Sequence, residues 1–181
     1  MGKKVLVIGT SNQAASINRS LAGFASTLLH DCESEQVDMR AYEMPLFGSD
    51  RHKEDGIPEK AMEFRNRLAE YDGIIISLAE HNGSYTAAFK NLIDWVSVLE
   101  GKVWQQKPVL LLSASPGPNG AIIVLRLAED YFPYMGARVS GVFSLGNFFE
   151  KFDNDTGITD GEKLAELQEK VAAFETMVLT A

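Results

Sequence analysis

Short apolar runs alternate along the chain with segments whose apolar positions recur every three or four residues. This is the pattern of buried strands joined by amphipathic helices. The run from Lys4 to Gly9 predicts a first strand, and Ile17, Leu21, Phe24, Ala25 and Leu28 predict a helix from about Ser16. A shorter, more polar strand is expected over Glu35 to Arg40, and then a charged loop from Phe47 to Gly56. Ile57, Ala61, Phe64, Leu68 and Tyr71 share one helix face, with Pro58 suited to its first turn. The β-branched run within Gly73 to Leu78 predicts a third strand, Tyr85 to Leu99 a helix, and Pro108 to Ala114 a fourth strand. Gly120 to Met135 reads as a helix stopped by Gly136, and Arg138 to Leu145 as a fifth strand. A last helix is expected over Gly161 to Leu179, and Asp153 to Gly157 reads as a surface loop.

Strands one, three and four are apolar throughout, as strands covered by helices on both faces are. The prediction is an α/β fold: a doubly wound parallel sheet between two helical layers. With 181 residues and 45% hydrophobic composition, one domain over residues 1–181 is expected. Ligands of such sheets sit at the carboxyl ends of the strands, where strand order reverses. That places the chemistry in the loops after strands one, three and four.

Charge narrows the partners. The formal net charge is −8 and no basic stretch offsets it, which argues against nucleic acid and against an anionic membrane surface. A small phosphorylated ligand still fits, because a local site can outweigh the net charge. No apolar run is long enough to span a bilayer, and Val5 to Ile8 is short for a signal-peptide core. The single cysteine, Cys32, precludes an internal disulfide and suits a reducing compartment, so a cytoplasmic protein is expected. No metal site is read.

The first loop, Gly9 to Arg19, is rich in neutral donors: Thr10, Ser11, Asn12, Gln13, Ser16 and Asn18. A helix N-terminus adds free N–H groups and a positive dipole end, so the loop suits a phosphate. It lacks the second glycine and the lysine of a P-loop and the spacing of a dinucleotide loop. Ser16 also suits a plain helix cap, which needs only one such residue. The second loop, Leu78 to Thr86, carries Glu80 and His81 ahead of Asn82, Gly83 and Ser84, which are turn and cap residues. The third, Ser113 to Gly120, packs Pro116, Gly117, Pro118 and Gly120 into a stiff loop whose small residues let a flat ring approach the backbone.

These loops resemble those of the NADPH-dependent FMN reductase family, whose relatives include quinone, chromate and azo reductases. The family's first loop, G-S-x-R-x-x-S-x-N, is matched by Thr10-Ser11-Asn12-Gln13-Ala14-Ala15-Ser16-Ile17-Asn18. Its P-E-Y-N-x-S loop and K-N-x-I-D-W helix end are matched by Ala79-Glu80-His81-Asn82-Gly83-Ser84 and Lys90-Asn91-Leu92-Ile93-Asp94-Trp95. The resemblance implies a flavodoxin-like three-layer sandwich with a five-stranded parallel sheet in the order 2-1-3-4-5. It implies FMN as cofactor and NADPH or NADH as electron donor. Ser11, Ser16 and Asn18 would hold the phosphate, Glu80, His81, Asn82 and Gly83 would line one edge of the ring, and Ser115, Gly117 and Gly120 would lie by its pyrimidine end. Thr10, Gln13, Ile17, Ser84, Pro116 and Asn119 complete the set of cofactor-binding residues expected in these loops. The chain departs from the family where Gln13 replaces Arg, Ala79 replaces Pro and His81 replaces Tyr.

The activity implied is transfer of two electrons from a nicotinamide nucleotide, through FMN, to a small-molecule acceptor: a quinone, free flavin, azo compound or oxidised metal ion. No side chain need act as acid or base, and His81 is the one residue of the loops suited to supply a proton. Two other readings share the fold: an electron carrier without its own substrate, and a flavin-free interaction protein. The helices around 85–99 and 120–135 carry more apolar surface than one sheet contact needs, which predicts a homodimer or a tetramer built from it.

Overall fold

A computed structural model describes residues 2–181. In chain order its elements are β1 (Lys3–Gly9), α1 (Ile17–Thr27), β2 (Cys32–Val37), α2 (Ser49–Asp55), α3 (Glu59–Ala69), β3 (Gly73–Leu78), β4 (Glu80–His81), β5 (Ser84–Tyr85), α4 (Ala87–Ser97), β6 (Pro108–Ala114), α5 (Ile122–Tyr131), β7 (Arg138–Leu145), α6 (Phe148–Lys151), β8 (Phe152–Asp153), β9 (Gly157–Ile158) and α7 (Gly161–Leu179). Five strands form one parallel sheet in the order β2-β1-β3-β6-β7. Counted within the sheet this is 2-1-3-4-5, the flavodoxin-like order.

Side chains alternate across each central strand, and both faces are buried. Leu6, Ile8, Ile74, Ile76, Val109 and Leu111 pack with α3, α4 and α5, while Val5, Val7, Ile75, Leu110 and Leu112 pack with α1 and α7. At Gly9 an added Cβ would lie 2.6 Å from the Arg19 backbone, so the glycine is what lets α1 start close against β1.

Several elements differ from expectation. β2 lies three residues earlier than its polar pattern predicts, at Cys32–Val37 rather than 35–40. Tertiary contacts set its limits. The buried Glu175 carboxylate of α7 accepts the N–H groups of His30, Asp31 and Cys32 and fixes where the strand begins. Asp38 accepts the N–H of Arg40 and starts a 3-10 turn over Met39–Tyr42 that ends it. The charged segment contains the short, wholly unburied α2, closed by Gly56 at φ +77°. Asp153 to Gly157 is the tip of the β8–β9 hairpin, and Gly157 lies so close to the Phe24 ring that a Cβ would meet it at 2.0 Å. The helix expected over 120–135 is shorter, because Gly120 and Ala121 both take left-handed backbone (φ +59° and +58°).

The apolar arc of the 85–99 helix is covered within the chain. Phe89, Leu92, Ile93, Trp95 and Val96 are all buried. Phe47 packs edge-on against Trp95 at 5.0 Å, and Trp104 stacks beside Phe89. On α5, by contrast, Ile123, Leu127 and Tyr131 are exposed, as is Tyr134 just beyond it.

Candidate functional site

The loops after β1, β3 and β6 meet at one end of the sheet, and buried polar side chains stitch them together. The Asn18 amide reaches across from α1: its oxygen accepts the Ser77 hydroxyl (2.8 Å) and the Ala114 N–H (2.9 Å), and its nitrogen donates to the Ala114 carbonyl (3.2 Å). Thr10 is fully buried. Its hydroxyl accepts the Ala79 N–H at 2.9 Å, and its carbonyl accepts the Thr86 hydroxyl at 2.7 Å. These bonds leave Thr10 and most of the Asn18 amide committed to the frame, with the N-terminus of α1 held over the ends of β3 and β6.

Ser16 caps α1, its hydroxyl accepting the Arg19 N–H. The N–H groups of Ile17 and Asn18, at the first turn, have no intrahelical carbonyl to reach. Ser11 is half-buried and its hydroxyl accepts the Gln13 N–H, while Gln13 is exposed. The loop therefore offers neutral donors and a helix dipole, with no formal charge before Arg19.

After β3 the chain makes a two-residue hairpin. Asn82 and Gly83 both have positive φ (53° and 74°), as a tight turn between twisted strands requires, and β4 pairs with β5 across it. Ser84 is part of β5, and the cap of α4 is Thr86, whose hydroxyl accepts the Phe89 N–H. Glu80 turns toward α5, where its carboxylate accepts the Val124 N–H at 2.9 Å. His81 is exposed. In the third loop, two hydroxyls, Ser113 and Ser144, donate to the Gly120 carbonyl at 2.6 and 2.8 Å. An added Cβ at Gly120 would strike Ser144 Oγ at 2.1 Å, whereas one at Gly117 would meet nothing within 4 Å.

A cleft of about 240 Å³ opens between these loops. Of the residues singled out from sequence, Ser11, Gln13, Ser16, Ile17, Asn18, Glu80, His81, Ser115 and Pro116 line it. Thr10, Asn82, Gly83, Ser84, Gly117, Asn119 and Gly120 lie around it in the loops themselves. Phe149, on α6 after β7, also lines the cleft and is 72% exposed, a residue the sequence reading did not reach. Its signal was the same rule applied once more, since the loop after the fifth strand opens at the same end of the sheet.

A parallel sheet in this order, with a phosphate-suited helix start and tight glycine loops at its switch point, defines a flavodoxin-like α/β protein with a ligand cleft. The chain belongs to the NADPH-dependent FMN reductase family, which it matches over residues 3–150. It is 30% identical over 169–176 residues to two relatives, one of them the NADH:(hydroxy)cinnamate reductase subunit CrdA of Vibrio ruber, where the match covers 93% of this chain and 83% of the relative. It is 29% identical to a quinone reductase of Escherichia coli K12 over 73% of this chain and 72% of that one. Among solved structures, FerB, a flavoenzyme NAD(P)H:(acceptor) oxidoreductase from Paracoccus denitrificans, has the same fold (TM-score 0.80, 23% identity, 98% of each chain covered).

Proposed function

We propose that the cleft holds FMN and that the protein is a cytoplasmic, single-domain NAD(P)H-dependent reductase of quinone-type acceptors. The observation that carries this reading is the donor set beneath the cleft. Phosphate oxygens only accept hydrogen bonds, and the first turn of α1 with Ser11 presents donors at one point. The carboxylate that lines the cleft, Glu80, is engaged by α5 and so is matched by a helix dipole.

Bound FMN would supply the redox chemistry, taking a hydride from NAD(P)H and passing two electrons to the acceptor. The residues of the chain bind, orient and polarise. Ser11, Ser16 and the first N–H groups of α1 hold the phosphate. Ser115, Pro116 and Gly117 face the pyrimidine end, where the N-terminus of α5 favours negative charge. His81, exposed at the mouth, is placed to donate a proton. A second copy covers the exposed α5 face. Ile123, Leu127, Tyr131 and Tyr134 leave a contiguous apolar strip of α5 and the turn after it exposed, which supports that arrangement.

The test is to incubate the protein with FMN, remove the excess, denature and quantify the flavin. One FMN per chain, bleached by NAD(P)H and restored by a quinone, is expected. Failure to retain FMN overturns the reading, and a flavin that NAD(P)H cannot reduce favours an electron carrier. Light scattering at micromolar concentration should give the mass of a dimer or tetramer.

A further inference from the structure

The cleft has one wall that the loops after β1, β3 and β6 do not supply. After β7 the chain turns through Gly146 and Asn147 into α6, and backbone hydrogen bonds fasten this turn to the third loop. The Asn147 N–H donates to the Gly117 carbonyl at 2.8 Å, the Phe148 N–H to the Ser115 carbonyl at 3.1 Å, and the Ser115 N–H to the Leu145 carbonyl at 3.2 Å. Gly146 passes so near Pro118 that an added Cβ would strike its carbonyl oxygen. Phe148 is buried and stacked on Phe152 at 4.5 Å. Phe149 lines the cleft instead, and its ring meets Phe148 only edge-on, at 5.7 Å. A scattered exposed apolar residue is ordinary. Phe149 differs in that its backbone neighbours are fastened to the wall of a cleft while its own ring is left bare there.

We propose that Phe149 is a ring-binding residue: it packs against the isoalloxazine of FMN beside the third loop and so selects a flat, conjugated ligand whether or not a phosphate is attached. The inference rests on the FMN reading above. The cleft divides its labour. The phosphate donors lie at Ser11 and the first turn of α1, whereas Phe149 is tied to the third loop. Among the described residues that line the cleft, the only other ring is that of His81, and no tyrosine or tryptophan is present. β3 and β7 flank β6 in the sheet, so His81 and Phe149 rise on opposite sides of the third loop. A flat ring lying over that loop has one of them on each side. The two are not equivalent. His81 offers polar nitrogens, whereas Phe149 offers only apolar area and the negative face of a benzene ring, which suits an electron-poor oxidised flavin.

The test is a titration of the wild type, Phe149→Ala and Phe149→Trp with FMN and with riboflavin. Phe149→Ala should weaken both ligands by the same factor, about tenfold, as loss of one aromatic contact does. A loss confined to FMN would place Phe149 at the phosphate and overturn the proposal. Phe149→Trp should keep the affinity and take away most of the fluorescence of bound flavin. An indole in contact with an excited flavin gives it an electron, which a phenyl ring does not, and the wild-type cleft holds no such donor among the described residues. Bound flavin equally bright in the wild type and in Phe149→Trp overturns the contact. Without flavin, the thermal midpoints of all three proteins should agree, because the ring is exposed. A lower midpoint for Phe149→Ala with unchanged affinities would make Phe149 a packing residue and overturn the proposal. A wild type that binds neither flavin removes the FMN reading itself. A wild type that binds both, beside variants that alter neither affinity nor emission, removes this inference alone.

Discussion

The carboxylate of Glu80 accepts the backbone N–H of Val124 at 2.9 Å, which fastens the β4–β5 hairpin to the first turn of α5. Ala121, in the cap position of that helix, has no side chain able to do so. The second loop thus supplies the cap that the third loop lacks, and the two walls of the cleft are set by one bond.

Replacing Glu80 should show this. Glu80→Ala removes the acceptor and the charge at the helix start and should cost about 1 kcal/mol of stability. Glu80→Gln keeps an acceptor and should cost less. Urea denaturation midpoints of the three proteins measure the difference. Equal loss in both variants would mean that charge alone matters, and no loss in either would show that the bond contributes nothing.

Asn18→Ala should be far more costly. It leaves the Ala114 N–H and carbonyl and the Ser77 hydroxyl without their partner at an almost wholly buried position beneath the cleft. A loss of about 2–4 kcal/mol is expected, read as a lower denaturation midpoint with an unchanged slope. Asn18→Asp should be no milder, since a carboxylate beside the Ala114 carbonyl brings two acceptors together.

Gln13→Arg should tighten FMN. Gln13 is exposed at the cleft and carries no charge. A guanidinium there would form charge-assisted bonds to phosphate, worth up to about 1–2 kcal/mol net of side-chain ordering. The gain should shrink as salt rises and be nearly absent for riboflavin. Side-by-side titrations of both ligands at low and high salt check this, and equal gains for the two would place the phosphate elsewhere.

Cys32 should be a poor nucleophile. Burial, with the Glu175 carboxylate beside it, pushes its thiol up to about 11. Iodoacetamide labelling of the native protein should stay slow at pH 8 and accelerate only as the pH nears that value. The sign for stability follows. The folded thiol keeps its proton where an unfolded one, near about 8.5, has lost it, so its contribution is complete below that pH and lost on the way to the folded value. Fast labelling at neutral pH would contradict the assignment.

The limits of β3, β6 and β7 were readable to the residue, because burial on both faces, or packing beneath a helix, writes itself into composition. β2 was not, since an edge strand bearing Glu33, Ser34 and Glu35 has no such pattern and takes its ends from Asp38 and from Glu175, far away in sequence. α2 has no fully buried residue and no apolar one, and so has no apolar period to read. In the site, the three loops were legible as loops, but the work of each polar residue was not. A donor such as Thr10 or Asn18 can serve a ligand or a neighbouring strand, and only the fold shows that these two stitch the frame. Ser16 caps a helix, as its position alone suggested.

Glu175 lies 145 residues from His30, whose N–H it accepts. The groups it gathers belong to one of the earliest turns of the chain, and the acceptor to the last helix. A polypeptide emerging in order from the ribosome therefore makes the turn that launches the sheet's edge long before the carboxylate that secures it exists. Until α7 is complete, the edge of the nascent sheet has unanchored backbone at that corner, and strand-edge backbone is what chaperones shield and other chains seek.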